Sequence, residues 1–312
     1  MPTHPRPHNL LTLREALPVA EQGGYALGSF SPRYIGMIRP TLRAAERARS
    51  PLIVQISSNE FRRYGVTPAA FADEFYQALA EERISVPVVL HLDHTKDLAT
   101  IQAAIAAGFT SVMIDASELP FEQNVAHSRA AADYAHAHDA SVEGELGRIG
   151  TTDKIETDDD TELYTDPEEA AEFVARAGVD ALAVSVGTAH GVYTVRQPRI
   201  DFARLQAIRA RTPVHLVLHG GSGVPAAMVA AAIRLPGGGV SKVNIATDLE
   251  LAALGALGRA ERMSDAEMSA LPAAQRALAQ AAVQATVEEK IRRYLGSAGQ
   301  ADGAVWREIV AY

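Results

Sequence analysis

"VPVVLHLDHTKD", residues Val86 to Asp97, is an apolar run of strand length that finishes on Asp93, His94, Thr95, Lys96 and Asp97. A strand built for a core has no reason to end on titratable groups unless that end faces a site. Runs of the same kind recur as "YALGSF" at Tyr25, "LIVQIS" at Leu52, "SVMIDA" at Ser111, "SVEGEL" at Ser141, "ALAVSV" at Ala181, "HLVLHG" at His215 and "KVNIAT" at Lys242, so that with "VVLHLD" there are eight. Between most of them lie segments of helical periodicity such as "AAFADEFYQALAEER", "LATIQAAIAAG" and "DPEEAAEFVARAG", with Asp or Pro at their starts. Strands alternating with helices pair in parallel, and eight such units predict an α/β fold, a (β/α)8 TIM barrel over about residues 24–260. An open doubly wound sheet is the alternative.

The composition agrees with one large α/β domain over the 312 residues, 47% of them hydrophobic. With no cysteine in the chain, any metal must be held by histidine and carboxylate. A net charge of -9 argues against a nucleic-acid or anionic-membrane partner. No apolar run has the length of a membrane span, and the opening "MPTHPRPHNL" lacks the apolar segment of a secretory signal. A soluble, cytoplasmic protein is expected.

After Asp248 the strand pattern stops. Residues 264–312 read as a helical extension in which Val283, Val287, Ile291 and Leu295 share one face. These helices are expected to cover the barrel or a partner subunit, in a homodimer or homotetramer. One long polar stretch, "GRIGTTDKIETDDDTELYTDP" from Gly147 to Pro167, has the length of a lid or an insertion.

Catalytic groups of such barrels sit at the C-terminal strand ends. The third run ends in Asp93 and His94, the fourth in Asp115, the fifth in Glu143 and Glu145, the sixth in "GTAHG" with His190, and the seventh in His219 before "GGSG". Packing does not explain this, because each buried titratable group costs free energy unless paired or bound to metal. Along a regular strand Asp93 and His94 face opposite sides, so the third strand is expected to end near Leu92 and turn outward. His94, His190 and His219 would then surround the mouth, a ligand set that suits a catalytic Zn²⁺ with an open position. A lone strand-end histidine is more often structural; three from three strands reverse that preference. His91 and His215, inside their strands, read as core groups or groups that support the ligands. The N-terminal "PTHPRPH" reads as a floppy arm. "HGGSGVP" and "NIATD", after the last two runs, place glycine backbone and a helix start where barrels bind phosphate.

Through "VVLHLDH", "GFTSVMIDAS", "VEGELGRIG", "GTAHGVY", "HGGSG" and "KVNIATDL" the chain resembles the class II, zinc-dependent ketose-bisphosphate aldolases, nearest the tagatose-bisphosphate type, from about Gly24 to Ala298. The resemblance implies that His94, His190 and His219 are zinc ligands and that Asp93 is the acid/base at the C4 oxygen of a sugar phosphate. It matches Asp115 and Glu145 to a second metal position, which a further metal or a monovalent cation would fill. It matches Ser57 to a substrate-contacting serine, and Gly191, Gly220, Gly221, Ser222 and Asn244, Ile245, Ala246 and Thr247 to a dihydroxyacetone-phosphate site.

The chain departs from that pattern in four places. The lid's Gly-Gly and acidic pair become Thr151, Thr152, Asp153 and Lys154, leaving Asp153 as the positional match for the lid carboxylate and Glu156 as a nearby substitute. The first strand runs into "SFSPRY" and the second into "SSNEFRRY", and "SALPAAQ" stands where the family shows "DPR". Arg33 and Arg62 are therefore the expected readers of the distal end of the substrate, and a sulfonate-bearing sugar phosphate is one candidate. Two other functions compete with a lyase: a zinc-dependent ketose epimerase or isomerase, and a non-catalytic aldolase-like subunit.

Overall fold

The computed structural model describes residues 4–149, 163–191, 193 and 197–310. Eight parallel strands close on themselves in chain order: β1 (Leu27–Phe30), β2 (Leu52–Ser57), β3 (Val88–Thr95), β4 (Ser111–Ile114), β5 (Ser141–Leu146), β6 (Ala181–Val184), β7 (His215–Leu218) and β8 (Val240–Ile245). Closure is made by β1, whose Leu27 to Phe30 pair with Lys242 to Ile245 of β8 on one side, while Gly28 to Phe30 pair with Leu52 to Val54 of β2 on the other. The (β/α)8 barrel is thus the observed fold, and the open sheet is excluded.

Local chemistry sets the helices between the strands. Asp97 caps Leu98–Ala107 by accepting from Thr100 N, and Gly108 closes it in the left-handed conformation. Asp166 caps Pro167–Ala177 in the same way, with Pro at the first helical position and Gly178 at the end. Among the described residues no helix is long and apolar enough to cross a membrane.

Both ends of the chain serve the bottom of the barrel, away from the strand C-termini. The helix α1 (Leu13–Gln22) buries Leu13, Ala16, Leu17 and Ala20 in a cluster with Leu27, Ile53, Val89, Met113, Ala181, Ala183 and Val217, so it plugs the barrel interior. The segment before it is no floppy arm: Val88 N donates to Asn9 O and Leu11 N to Val88 O, each at 2.8 Å, and His4 stacks on Tyr76. Without this cover the apolar lower layer would face water. His215, at the start of β7, lies at this end and pairs with Glu21 at 2.7 Å, so it supports no ligand at the mouth.

At the C-terminus, Val283, Val287, Ile291 and Leu295 are all buried, as the periodicity predicts. They belong to a long helix, Ala273–Lys290, and the turn that extends it to Leu295, which pack on Ile38–Ala48 and on Thr247–Ala256. Trp306, in the last helix, donates its indole N–H to Tyr25 Oη at 2.7 Å.

Candidate active site

The puzzle at the end of β3 is resolved by a bulge. Against β2 the strand stays in register as far as Ser57 opposite Asp93, but against β4 the pairs are Leu92 with Val112 and then Thr95 with Ile114. Three residues of β3 therefore span two of β4, and His94 takes a left-handed φ of 29°. The strand does not end near Leu92, as expected from the sequence; it runs to Thr95, and the extra residue turns Asp93 and His94 toward one site.

Three imidazoles meet there. His94 Nε2 lies 3.3 Å from His190 Nε2 and 2.9 Å from His219 Nδ1. The far nitrogens of two rings are held by carboxylates: His94 Nδ1 by Asp115 Oδ2 at 3.0 Å, and His219 Nε2 by Glu143 Oε1 at 2.7 Å. A ring that donates its one N–H to a carboxylate presents a lone pair on its other nitrogen. Two such lone pairs 2.9 Å apart repel unless a proton or a metal cation sits between them.

The electrostatics follow. Burial alone would depress His94, but Asp93, Asp115 and Glu145 push it up to about 10. Burial and the neighbouring rings push His190 down to about 3 and His219 well below its ordinary value. The metal-free cluster thus carries one proton on His94 and two neutral rings.

Glu145 adds an orphaned ligand. Its Oε2 is buried without a hydrogen-bond partner among the described residues, 3.8 Å from both His94 Nδ1 and His219 Nδ1. Burial raises its carboxyl well above the usual range. Ser117 Oγ bridges the acidic pair, at 2.8 Å from Asp115 Oδ1 and 3.2 Å from Glu145 Oε1. Facing lone pairs, carboxylates behind the rings and an unpartnered buried oxygen form a donor set that fits a divalent metal such as Zn²⁺.

Asp93 stands beside the rings with each oxygen engaged: Oδ2 accepts from Gln55 Nε2 at 3.0 Å, and Oδ1 from Asn244 Nδ2 at 3.1 Å. The glycine loop after β7 closes on β8. Gly220 has a φ of 66°, and a Cβ there would stand 2.4 Å from Ala189 O, so only glycine fits. A Cβ on Gly221 would stand 2.8 Å from Asn244 O, to which its own N donates at 3.0 Å. Ser222 Oγ accepts from Ala246 N at 3.3 Å and Asp248 N at 3.2 Å, tying this loop to the start of the helix that begins at Thr247. Ile245 offers no side chain to the site; it is core, and its carbonyl takes the N–H of Ser31 at 3.0 Å. Gly191 follows His190 with a φ of 112°.

The distal side corrects an expectation. Arg33, at 7% exposure and φ 63°, donates through Nε to Glu60 Oε1 at 2.9 Å and through Nη1 to Glu250. Its guanidinium is consumed inside the protein, so it is neither a free anion reader nor a solvated surface charge. Tyr64 and Arg262 complete the cluster on Glu250, at 2.6 and 3.1 Å. Glu60 Oε2 in turn accepts from Ser31 Oγ at 2.7 Å and Ser57 N at 2.9 Å. Arg62 is exposed on the helix Ser58–Tyr64 and donates to Asn59. The lid residues Asp153 and Glu156 lie outside the described residues.

Sequence reading missed Gln55, Lys242, Glu60 and Glu250. A signal was present for one of them, since Lys242 stands two before Asn244 on its strand and so shares the inner face with it, as Glu143 does with Glu145 and His91 with Asp93. His91 is wholly buried, with Nδ1 2.7 Å from Ser111 Oγ.

A (β/α)8 barrel with three histidines, an aspartate and a glycine loop at its mouth has a donor set that could hold a metal ion at the end where such barrels carry their active sites. The particular family is given by comparison: the model of the class-II fructose-bisphosphate aldolases matches residues 11–300, and the chain belongs to that family. Among solved structures, the YdjI aldolase from Escherichia coli K12 is 33% identical, with a TM-score of 0.79 over 94% of this chain and 99% of its own. A putative fructose-1,6-biphosphate aldolase from Coccidioides immitis is 29% identical, with a TM-score of 0.76 over 93% and 98%. Fructose-bisphosphate aldolase (Fba) from Campylobacter jejuni, at 23% identity, a TM-score of 0.71 and 91% and 95% coverage, shares the fold.

Proposed function

We propose that this chain is a zinc-dependent aldehyde-lyase that cleaves a ketose 1-phosphate or ketose bisphosphate reversibly to dihydroxyacetone phosphate and an aldehyde. The observation that carries it is the meeting of His94, His190 and His219, with His94 Nε2 3.3 Å from His190 Nε2 and 2.9 Å from His219 Nδ1, next to a buried carboxylate, Asp93. Held by the three rings, the metal supplies Lewis-acid stabilisation of the negative charge that develops on the ketose oxygens when the C3–C4 bond breaks. Asp93 takes the proton of the C4 hydroxyl during cleavage and returns it in condensation. The amides of Gln55 and Asn244, which donate to its two oxygens, aim the carboxylate. Glu145 and Asp115 are proposed as the second ion position, and Asp153 as the lid carboxylate that handles the proton at C3.

The phosphate of the substrate is proposed to lie against Gly191, Gly220, Gly221, Ser222 and the backbone from Asn244 to Thr247. Ser57 spends its Oγ lone pair on Glu60 N at 3.2 Å, which leaves its hydroxyl proton for the sugar. With Arg33 internally paired, Arg62 is the remaining candidate for an anionic distal group, a sulfonate included. The test is a panel of ketose 1-phosphates with phosphate, sulfonate, carboxylate and neutral groups at C6, followed by release of dihydroxyacetone phosphate. Release from at least one supports the lyase. An isomerised sugar with no carbon fragments would favour the epimerase, and no reaction with no bound zinc the non-catalytic subunit.

A further inference from the structure

Lys242 is wholly buried on the inner face of β8, where barrel interiors ordinarily carry branched aliphatics. Its Nζ lies 2.8 Å from Glu143 Oε2 and 2.7 Å from Asn244 Oδ1. Each partner passes the contact on. Glu143 Oε1 holds His219 Nε2 at 2.7 Å, and Asn244 Nδ2 donates to Asp93 Oδ1 at 3.1 Å. One ammonium therefore stands at the junction of two chains of contacts: an ion pair to Glu143, whose other oxygen holds a ring of the histidine cluster, and hydrogen bonds through Asn244 to the carboxylate beside it.

The chemistry of these groups gives the contacts a direction. An ammonium has donors only, so Asn244 must turn its carbonyl oxygen to Lys242 and its NH₂ to Asp93. A carboxylate has acceptors only, so with Glu143 Oε1 on its ring His219 donates from Nε2 and turns Nδ1 toward His94. Burying a Lys–Glu pair is a poor route to stability, because desolvation offsets the attraction and apolar replacements of the same volume are often as stable. The pair is better explained by the orientations it imposes.

We propose that Lys242 is a positioning residue shared by the metal-binding rings and Asp93. Through Glu143 it fixes the tautomer of His219, and through Asn244 it fixes the aim of Asp93. This rests on the metal site proposed above and goes beyond it by assigning both halves of the chemistry to one anchor.

The test uses Zn²⁺ and Co²⁺ as probes, with affinity read by competition against a chromophoric chelator and geometry by the visible absorption of the cobalt protein. Turnover is read as condensation of dihydroxyacetone phosphate with glycolaldehyde, which asks nothing of the distal site. Lys242→Met should weaken metal binding by about 10- to 100-fold, the usual cost of losing an outer partner, change the cobalt spectrum and lower kcat more than it raises KM. The double variant Lys242→Met with Glu143→Gln removes the charge stranded by the single change. It should fold, recover metal affinity because the glutamine oxygen still accepts from His219, and keep the kcat defect because Asn244 remains unanchored. A Lys242→Met protein with unchanged affinity, spectrum and kcat would overturn the proposal. So would a double variant that recovers kcat, since Lys242 would then only neutralise Glu143. Wild-type protein that binds neither ion would sink the proposed function and this inference together, whereas metal-binding wild type with an indifferent Lys242→Met sinks this inference alone.

Discussion

At the ends of β3 and β7, ring nitrogens face one another and a buried carboxylate oxygen has no partner among the described residues; past the ends of β1 and β2, Glu60 and Glu250 are paired with Arg33 and completed by Ser31, Ser57, Tyr64 and Arg262. Both regions are buried and rich in charge, yet only the first is left with valences that an ion could fill. The difference separates a site from its scaffold. Unsatisfied lone pairs in a buried cluster point to something that binds there, whereas a closed ion network holds loops in place.

The largest effect that would sharpen this contrast is on turnover. Asp93→Asn keeps the shape of the side chain but cannot accept a proton, so cleavage should fall by about 10² to 10⁴-fold while zinc stays bound. Near wild-type cleavage by this variant would reduce Asp93 to an orienting group. On the closed side, Arg33→Met should act on stability instead. It strands Glu60 and Glu250, and breaking a buried pair costs about 3–5 kcal/mol, read as a lower urea midpoint with zinc affinity unchanged. Unchanged stability would mean that the cluster tolerates the loss and that Arg33 is free for another task.

A smaller effect comes from pH. His94 is held up to about 10 in the metal-free protein by Asp93, Asp115 and Glu145 against the opposing pull of burial, so it is protonated at neutral pH and zinc must displace that proton. Apparent zinc affinity should therefore rise about tenfold per pH unit from pH 6 to 8, and a plateau above pH 7 would contradict the raised value. Smallest is Arg62→Ala, an exposed change expected to alter stability by less than about 0.5 kcal/mol. Its effect on activity should be confined to ketose 1-phosphates with an anionic C6; equal small changes on anionic and neutral substrates would retire Arg62 as a distal reader.

How much of this could be read in advance depended on the range of the interaction. The eight strands, the helix caps at Asp97 and Asp166 and the strand-end positions of His94, His190 and His219 are local patterns, and all are legible in the sequence. The bulge after Leu92 is not, because the same residues read equally well as a strand that stops; the register against β4 and the φ of His94 distinguish the two. The plug α1 carries an apolar stripe at Leu13, Ala16, Leu17 and Ala20, but it precedes the first strand and has no slot in the repeat. Arg33 was misread for a different reason. Its partner Glu250 is 217 residues away, and no pattern around "SFSPRY" shows which carboxylate the fold will bring to it.

Whether the three strand-end histidines hold one metal ion is decided by the zinc content of the purified protein and of His190→Ala after dialysis against a weak chelator. One zinc per wild-type chain and none in His190→Ala is the predicted result; full occupancy in the variant, or a wild type that binds none, would contradict the three-histidine site.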